Sequence, residues 1–279
     1  MITDNQTNFV YLADYLPSNY LNFSSLLVES LNECNIPSSY IPGTKDIWAV
    51  DYMPIQVEKD KFIQFIYNPD YLRDTKKWRK SISDVNSICK EIKLETIQST
   101  IVLDGGNVIR GDGKVIMCNK VFKENNNVPE KQLIRELENL FEVDKIIFVP
   151  QEPADKIGHA DGMVRFLDER TVLINDYSKE DKRFQLDFRT ALLNAGLDYI
   201  EIPYNPYHNK SNFEATGIYV NYLHMEQAIL IPTFNMNEDD EVVKLFESLF
   251  NKHIIRTVPS NEVAIKGGVL NCITWNIVK

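Results

Sequence analysis

Cysteine and histidine are scarce in this 279-residue chain, four of each, and neither falls in a pattern that a metal or a disulfide framework needs. Cys34, Cys89, Cys118 and Cys272 stand 55, 29 and 154 residues apart, with no C-x-x-C and no H-x-x-x-H pair anywhere. Such spacing argues against a zinc module and against a disulfide-stapled scaffold, and it fits free thiols in a reducing, cytoplasmic setting. Long apolar runs are also lacking: nothing approaches the roughly 18 consecutive apolar residues of a membrane span, so no membrane partner is expected. The opening MITDNQTNFVYLADYL carries neither a basic n-region nor an apolar h-region, so no secretion signal is expected. Positive charge is in deficit, 30 basic against 40 acidic side chains, a formal charge of −10. That balance repels a phosphate backbone, so no nucleic-acid partner is expected. It suits a cationic ligand, although most of the acidic residues belong to a solvated surface.

What is present is a globular composition, 44% hydrophobic and 25% charged, arranged with a long internal period. Short apolar runs recur at Asn8 to Ala13, Lys61 to Tyr67, Lys114 to Cys118, Thr171 to Asn175 and Ala228 to Pro232. With Val10, Phe62, Val115, Val172 and Ile229 as markers the steps are 52, 53, 57 and 57 residues, so five units of about 55 account for the chain. Four of the runs are preceded by a second strand-like segment and a tight connection: Glu58-Lys59-Asp60, Gly111-Asp112-Gly113, Asp168-Glu169-Arg170 and Met225-Glu226-Gln227. The Gly-Asp-Gly connection is the strongest hairpin signal, because glycine reaches positive φ without steric cost. Apolar residues at i, i+3, i+4 and i+7 predict helices over 26–33, 128–141, 184–197 and 238–250. Each unit reads as strand, hairpin, strand, helix and a short strand such as Lys145 to Pro150 or Tyr199 to Pro203. Five such copies closed in a ring form one domain, 1–279, with a central channel. Periodicity alone leaves an ordinary two-domain α/β protein equally open.

The period also collects the unusual polar residues. Asp51, Asp104 and Asp161 each lie 11 residues before their marker; His159 precedes Asp161 by two, and Cys272 lies 113 after His159. Each has a plainer reading alone: an Asp before Gly-Gly is a turn residue, and a Cys in an apolar strand is core. Together they put three carboxylates, a histidine and a cysteine on one side of a ring, which is costly unless the spot is functional.

At these residues the chain resembles the agmatine deiminase and bacterial peptidylarginine deiminase family, within the guanidine-modifying superfamily of pentein fold. The matching segments are Trp48 to Pro54, Asp104-Gly105-Gly106-Asn107 with Gly111-Asp112-Gly113, Gly158-His159-Ala160-Asp161 through Arg165-Phe166, Tyr219-Val220-Asn221-Tyr222, and Lys266 to Thr274. They cover the chain from about Asp46 to its end. Departures are Val50 for the family's Arg, Met53 for Gly, Lys266 for the first Gly of the last segment, Asn271 for His, and Asp104 where many members carry Glu. The chain is also shorter than an agmatine deiminase. The resemblance implies an α/β five-bladed pentein propeller of pseudo-fivefold ββαβ repeats around a central active-site channel.

It further implies cofactor-independent hydrolytic deimination of an agmatine-like or arginine-derived guanidine. A guanidinium is a planar cation with five donors, so Asp51 and Asp161 suit its binding, with Trp48 and Asn221 as further substrate-binding candidates. Cys272 is the candidate nucleophile forming a thiouronium, His159 the acid and base, and Asp104 either orients His159 or touches substrate. No metal or organic cofactor is called for. The expected partner is a small guanidine, a peptidyl arginine being disfavoured, and homo-oligomerisation stays open. In the loop EIPYNPYHNKSNF, Tyr204, Tyr207, His208 and Asn212 are candidates to read the substrate's tail, against a plain solvated loop. Three other functions stay open: an amidinotransferase, a non-catalytic binding protein of the same fold, and an unrelated Cys-His-Asp amide hydrolase.

Overall fold

Each of the five apolar runs becomes the middle strand of its own three-stranded sheet. The computed structural model describes residues 1–73, 79–153 and 155–279. Unit 2 is β3 (Ile55–Glu58), β4 (Lys61–Ile66) and β5 (Ile97–Val102); unit 3 is β6 (Ile109–Gly111), β7 (Lys114–Cys118) and β8 (Lys145–Val149). Unit 4 is β9 (Val164–Phe166), β10 (Thr171–Asn175) and β11 (Asp198–Ile202); unit 5 is β12 (Leu223–His224), β13 (Ala228–Thr233) and β14 (Ile254–Pro259). In every unit the first two strands are antiparallel and the third runs parallel to the second. The parallel return needs a crossover, and a helix supplies it. These helices are α1 (Leu21–Glu33), α2 (Val85–Glu91), α3 (Glu130–Phe141), α4 (Lys182–Asn194) and α5 (Glu238–Leu249).

Unit 1 is built from both ends of the chain. β1 (Phe9–Ala13) takes β2 (Ser38–Ile41) as its parallel neighbour, and its antiparallel partner is β15 (Thr274–Ile277), with Phe9 opposite Ile277 and Leu12 opposite Thr274. The sequence offered hairpin leads for only four units because the fifth hairpin has no loop. The Gly-Asp-Gly signal is a tight connection with Gly111 opposite Lys114, and Gly113 has φ +62°.

Alternation along each middle strand joins the units. Ile63 and Phe65 of β4 pack with Val115 and Met117 of β7, whereas Ile116 and Cys118 turn to the other face and meet Val164, Val172 and Ile174 of unit 4. Leu173 points the other way, into the core shared by β13, α5 and unit 1's Val10 and Leu12. Phe62 faces Trp275 and Ile277 of β15. So each unit shares a core with the next, and the last with the first. A strand buried on both faces must be apolar throughout, which is why these runs lack strict alternation. Each fully buried Val, Ile or Leu side chain contributes about 1.5–3 kcal/mol. Among the described residues no helix is long and apolar enough to cross a membrane.

Candidate active site

The site is made by what precedes each outer strand. Single helical turns lie at Ala49–Tyr52 before β3, Gly105–Asn107 before β6, Ala160–Gly162 before β9 and Leu270–Ile273 before β15. Asp51 sits in the first, Asp104 and His159 cap the second and third, Asp161 lies within the third, and Cys272 lies within the last. Asn221 occupies the corresponding segment before β12. Trp48, Asp51, His159, Asp161, Asn221 and Cys272 all line one cavity of about 560 Å³.

Asp104 stands behind the cavity wall, 1% exposed, and its Oδ2 meets His159 Nε2 at 2.9 Å. Of its two expected roles the geometry supports orientation of His159. Asp51 Oδ1 lies 3.4 Å from His159 Nδ1 and accepts a 3.0 Å hydrogen bond from the Gly106 amide. Asp161 Oδ2 lies 3.3 Å from Cys272 Sγ. The Asn221 side chain is committed to the turn that carries Cys272. Its Oδ1 accepts from the amides of Asn271 and Cys272 at 3.1 and 3.3 Å, and its Nδ2 donates to Cys272 Sγ and the Asp161 carbonyl, both at 3.2 Å. Asn221 therefore positions Cys272.

Two glycines are required by crowding. A Cβ on Gly106 would fall 2.6 Å from Asp51 Oδ1 and 2.7 Å from His159 Nδ1; one on Gly268 would fall 2.7 Å from the Trp48 ring and 2.9 Å from Cys272 Sγ. Any side chain there displaces the groups the site depends on.

Burial opposes charge on His159, but the carboxylates of Asp51 and Asp104 outweigh it and push the imidazole up to about 9. Burial, with Asp104 and Asp161 nearby, pushes the Asp51 carboxyl up to about 8 against the pull of His159. Burial and the neighbouring Asp161 and Asp51 push the Cys272 thiol well up. All three shifts favour the protonated form, so the site favours positive charge.

Sequence reasoning missed three features. Asn271, which departs from the family's His, donates through Nδ2 to Asp161 Oδ2 at 2.8 Å. Lys120 is a buried cation 3.5 Å from Asp104 Oδ2. Glu152 accepts from Tyr204 and Tyr177 hydroxyls at 2.7 and 3.0 Å, lines the same cavity and is pushed up to about 7 by burial. In the sequence a lysine after a strand and a glutamate before a loop carry no signal. Of the loop candidates Tyr204, Tyr207 and Asn212 line the cavity, whereas His208 is exposed outside its lining.

Known proteins share this arrangement of sheets. The C. jejuni agmatine deiminase structure superposes with a TM-score of 0.81 at 18% identity, covering all of this chain and 95% of that one. In sequence the chain is 26% identical over 210 residues to the agmatine deiminase of Stutzerimonas stutzeri, covering 62% of this chain and 56% of the relative. It is 23% identical over 208 residues to that of Pseudomonas aeruginosa, again 62% and 56%. The chain spans less than two thirds of the length of the curated relatives it matches. The profile of the Porphyromonas-type peptidyl-arginine deiminases matches residues 18–277, nearly the whole chain and every segment that lines the cavity, and the chain belongs to that family.

Proposed function

We propose that the chain is a cofactor-independent deiminase that hydrolyses a small guanidine to the ureido product and ammonia. The observation that carries this reading is that Asp51, Asp161, Cys272 and His159 line one cavity, with Asp161 3.3 Å from Cys272 Sγ and Asp51 3.4 Å from His159 Nδ1. The two carboxylates accept the in-plane N–H groups of a guanidinium, and its positive charge favours the Cys272 thiolate beside them. With the cation bound, the Cys272 proton leaves to solvent and the thiolate attacks the central carbon. Ammonia departs with the proton held by His159, which leaves a thiouronium on Cys272. The neutral imidazole then takes a proton from water as its oxygen attacks, and the thiolate is expelled from the ureido product. Substrate-driven deprotonation accounts for a nucleophile whose thiol is held protonated at rest.

The same reading makes 1–279 one domain, a pentein propeller of five ββαβ blades; support comes from the cores shared by successive units and by the last with the first. A small, agmatine-like guanidine rather than a peptidyl arginine agrees with the names of the curated relatives. Four unpaired cysteines suit the cytoplasm. The test is ammonia release from agmatine, arginine, a peptidyl arginine and an alkylguanidine, with the product weighed by mass spectrometry. Ureido product from at least one small guanidine is expected, and none from the Cys272→Ala protein. Ammonia release by that variant, or a guanidine transferred intact to an amine, would overturn the reading.

A further inference from the structure

Lys120 is a buried cation that the proposed reaction leaves unused. It opens the short helix Lys120–Glu124 just after β7, and its side chain is 3% exposed. Its Nζ lies 3.0 Å from Glu124 Oε1, 3.5 Å from Asp104 Oδ2 and 3.6 Å from Asp70 Oδ1, and 4.9 Å from the centre of the Tyr71 ring. An ammonium taken out of water is costly even when paired; removing it would leave Glu124 without its ion-pair partner, Asp104 with His159 alone and Asp70 with Lys123 alone. The oxygen it approaches on Asp104 is the one that meets His159 Nε2 at 2.9 Å, and the Tyr71 ring stands edge-on to His159 at 6.1 Å. Lys120 therefore reaches His159 by two routes, the shared carboxylate and the aromatic wall.

We propose that Lys120 is a positioning residue that acts through Asp104, fixing the His159 ring and balancing the carboxylates around it so that its proton can be handed to ammonia. His159 faces Asp51 at Nδ1 and Asp104 at Nε2, with Asp161 beside Gly106 and Cys272 lining the same cavity. Those carboxylates all favour the imidazolium. Lys120 works against them, while Glu124 and Asp70 behind it moderate its charge. Without Lys120 the Asp104–His159 pair binds its proton more tightly, whichever of the two atoms carries it.

The role rests on the deiminase reading for its kinetic arm only. His159 is titrated by NMR on histidine-labelled protein without substrate, in the wild type, in Lys120→Met, in Lys120→Met with Glu124→Gln, and in Lys120→Arg. The double variant removes one positive and one negative charge together and is the safeguard should Lys120→Met fail to fold. Loss of Lys120 is expected to raise the His159 titration by on the order of one pH unit. The pH–rate profile of ammonia release should move up with it, and Lys120→Arg should return both. An unmoved titration with only a lower melting temperature, or a failure of both Met variants to fold, makes Lys120 a core residue and overturns the proposal. If the wild type releases no ammonia from any guanidine, the deiminase reading fails and the titration still decides the role of Lys120.

Discussion

Asn271 Nδ2 donates to Asp161 Oδ2 at 2.8 Å, and the same carboxylate oxygen lies 3.3 Å from Cys272 Sγ. The residue before Cys272 thus fixes the Asp161 carboxylate, and Asn221, from the neighbouring unit, accepts from the amides of Asn271 and Cys272. Asn271 fills the family's His position with a different donor. Asn271→Ala should lower kcat/KM about tenfold by freeing Asp161, and Asn271→Asp by about 100-fold or more, because it sets a second carboxylate against it. Asn271→His should stay within about tenfold of wild type, since imidazole can also donate. Steady-state kinetics on the best guanidine decide this, and an Asn271→Asp protein as active as wild type would remove Asp161 from the substrate site.

Gly268 tests how closely the segment leading into the Cys272 turn must approach Trp48. A methyl at this position falls 2.7 Å from the Trp48 ring and 2.8 Å from Cys272 Cβ. Relieving the overlap moves Cys272 or Trp48 by a good fraction of an ångström, and displacements of about 1 Å cost on the order of 100-fold in rate. Gly268→Ala should therefore lose about 100-fold in kcat/KM while melting within a few degrees of wild type. A large loss of melting temperature without loss of specific activity would assign the glycine to folding instead.

The state of Cys272 yields a chemical prediction. Burial and two carboxylates hold its thiol well up, so a neutral haloacetamide should alkylate it slowly at pH 7. A haloacetamidine carries a cation for the carboxylates beside the thiol and should react at least about 100-fold faster. Asp161→Asn should erase most of that preference. Mass spectrometry of the peptide bearing Cys272 measures both rates, and equal rates for the two reagents would mean that no cation-binding site surrounds the thiol.

The middle strands were legible because burial on both faces makes a continuous apolar run: the ranges read for β7 and β10, Lys114 to Cys118 and Thr171 to Asn175, are the strands themselves. Four of the five crossover helices were legible from their 3.6-residue period. α2 was not, because Val85, Ile88 and Cys89 give barely two turns of pattern, and its start rests on Asp84 accepting from the Ser87 amide. The β1–β15 pairing was hidden because it joins residues from opposite ends of the chain. Within the site, residues spaced by the repeat could be found, since Asp51, Asp104 and Asp161 share one offset from their markers. Asn271 stood out only as a departure from the family's pattern, and Lys120 and Glu152 not at all, because their contacts follow no period in the sequence.

Buried titrating groups away from the reaction should shape the pH dependence of stability in two opposed senses. His224 packs against the rings of Tyr222, Phe250 and His253 and is pushed down to about 3, chiefly by burial. The unfolded chain protonates this residue near 6.5 and the fold does not, so its contribution is full above 6.5. It is lost as pH falls towards 3, by about 1.4 kcal/mol per unit. Asp46 behaves in reverse. Burial pushes its carboxyl up to about 7 although Oδ1 accepts from the Trp48 amide, so the fold keeps a proton that the unfolded chain has lost above its ordinary value. Its contribution is therefore lost as pH rises from about 4 to 7. Net stability mixes the two, and differences between variants separate them. Relative to wild type, His224→Phe should gain on the order of 3 kcal/mol between pH 7 and pH 4. Asp46→Asn should gain as pH rises from 5 to 8. Urea unfolding at four pH values measures both, and parallel curves for wild type and His224→Phe would show that His224 accepts its proton in the folded state.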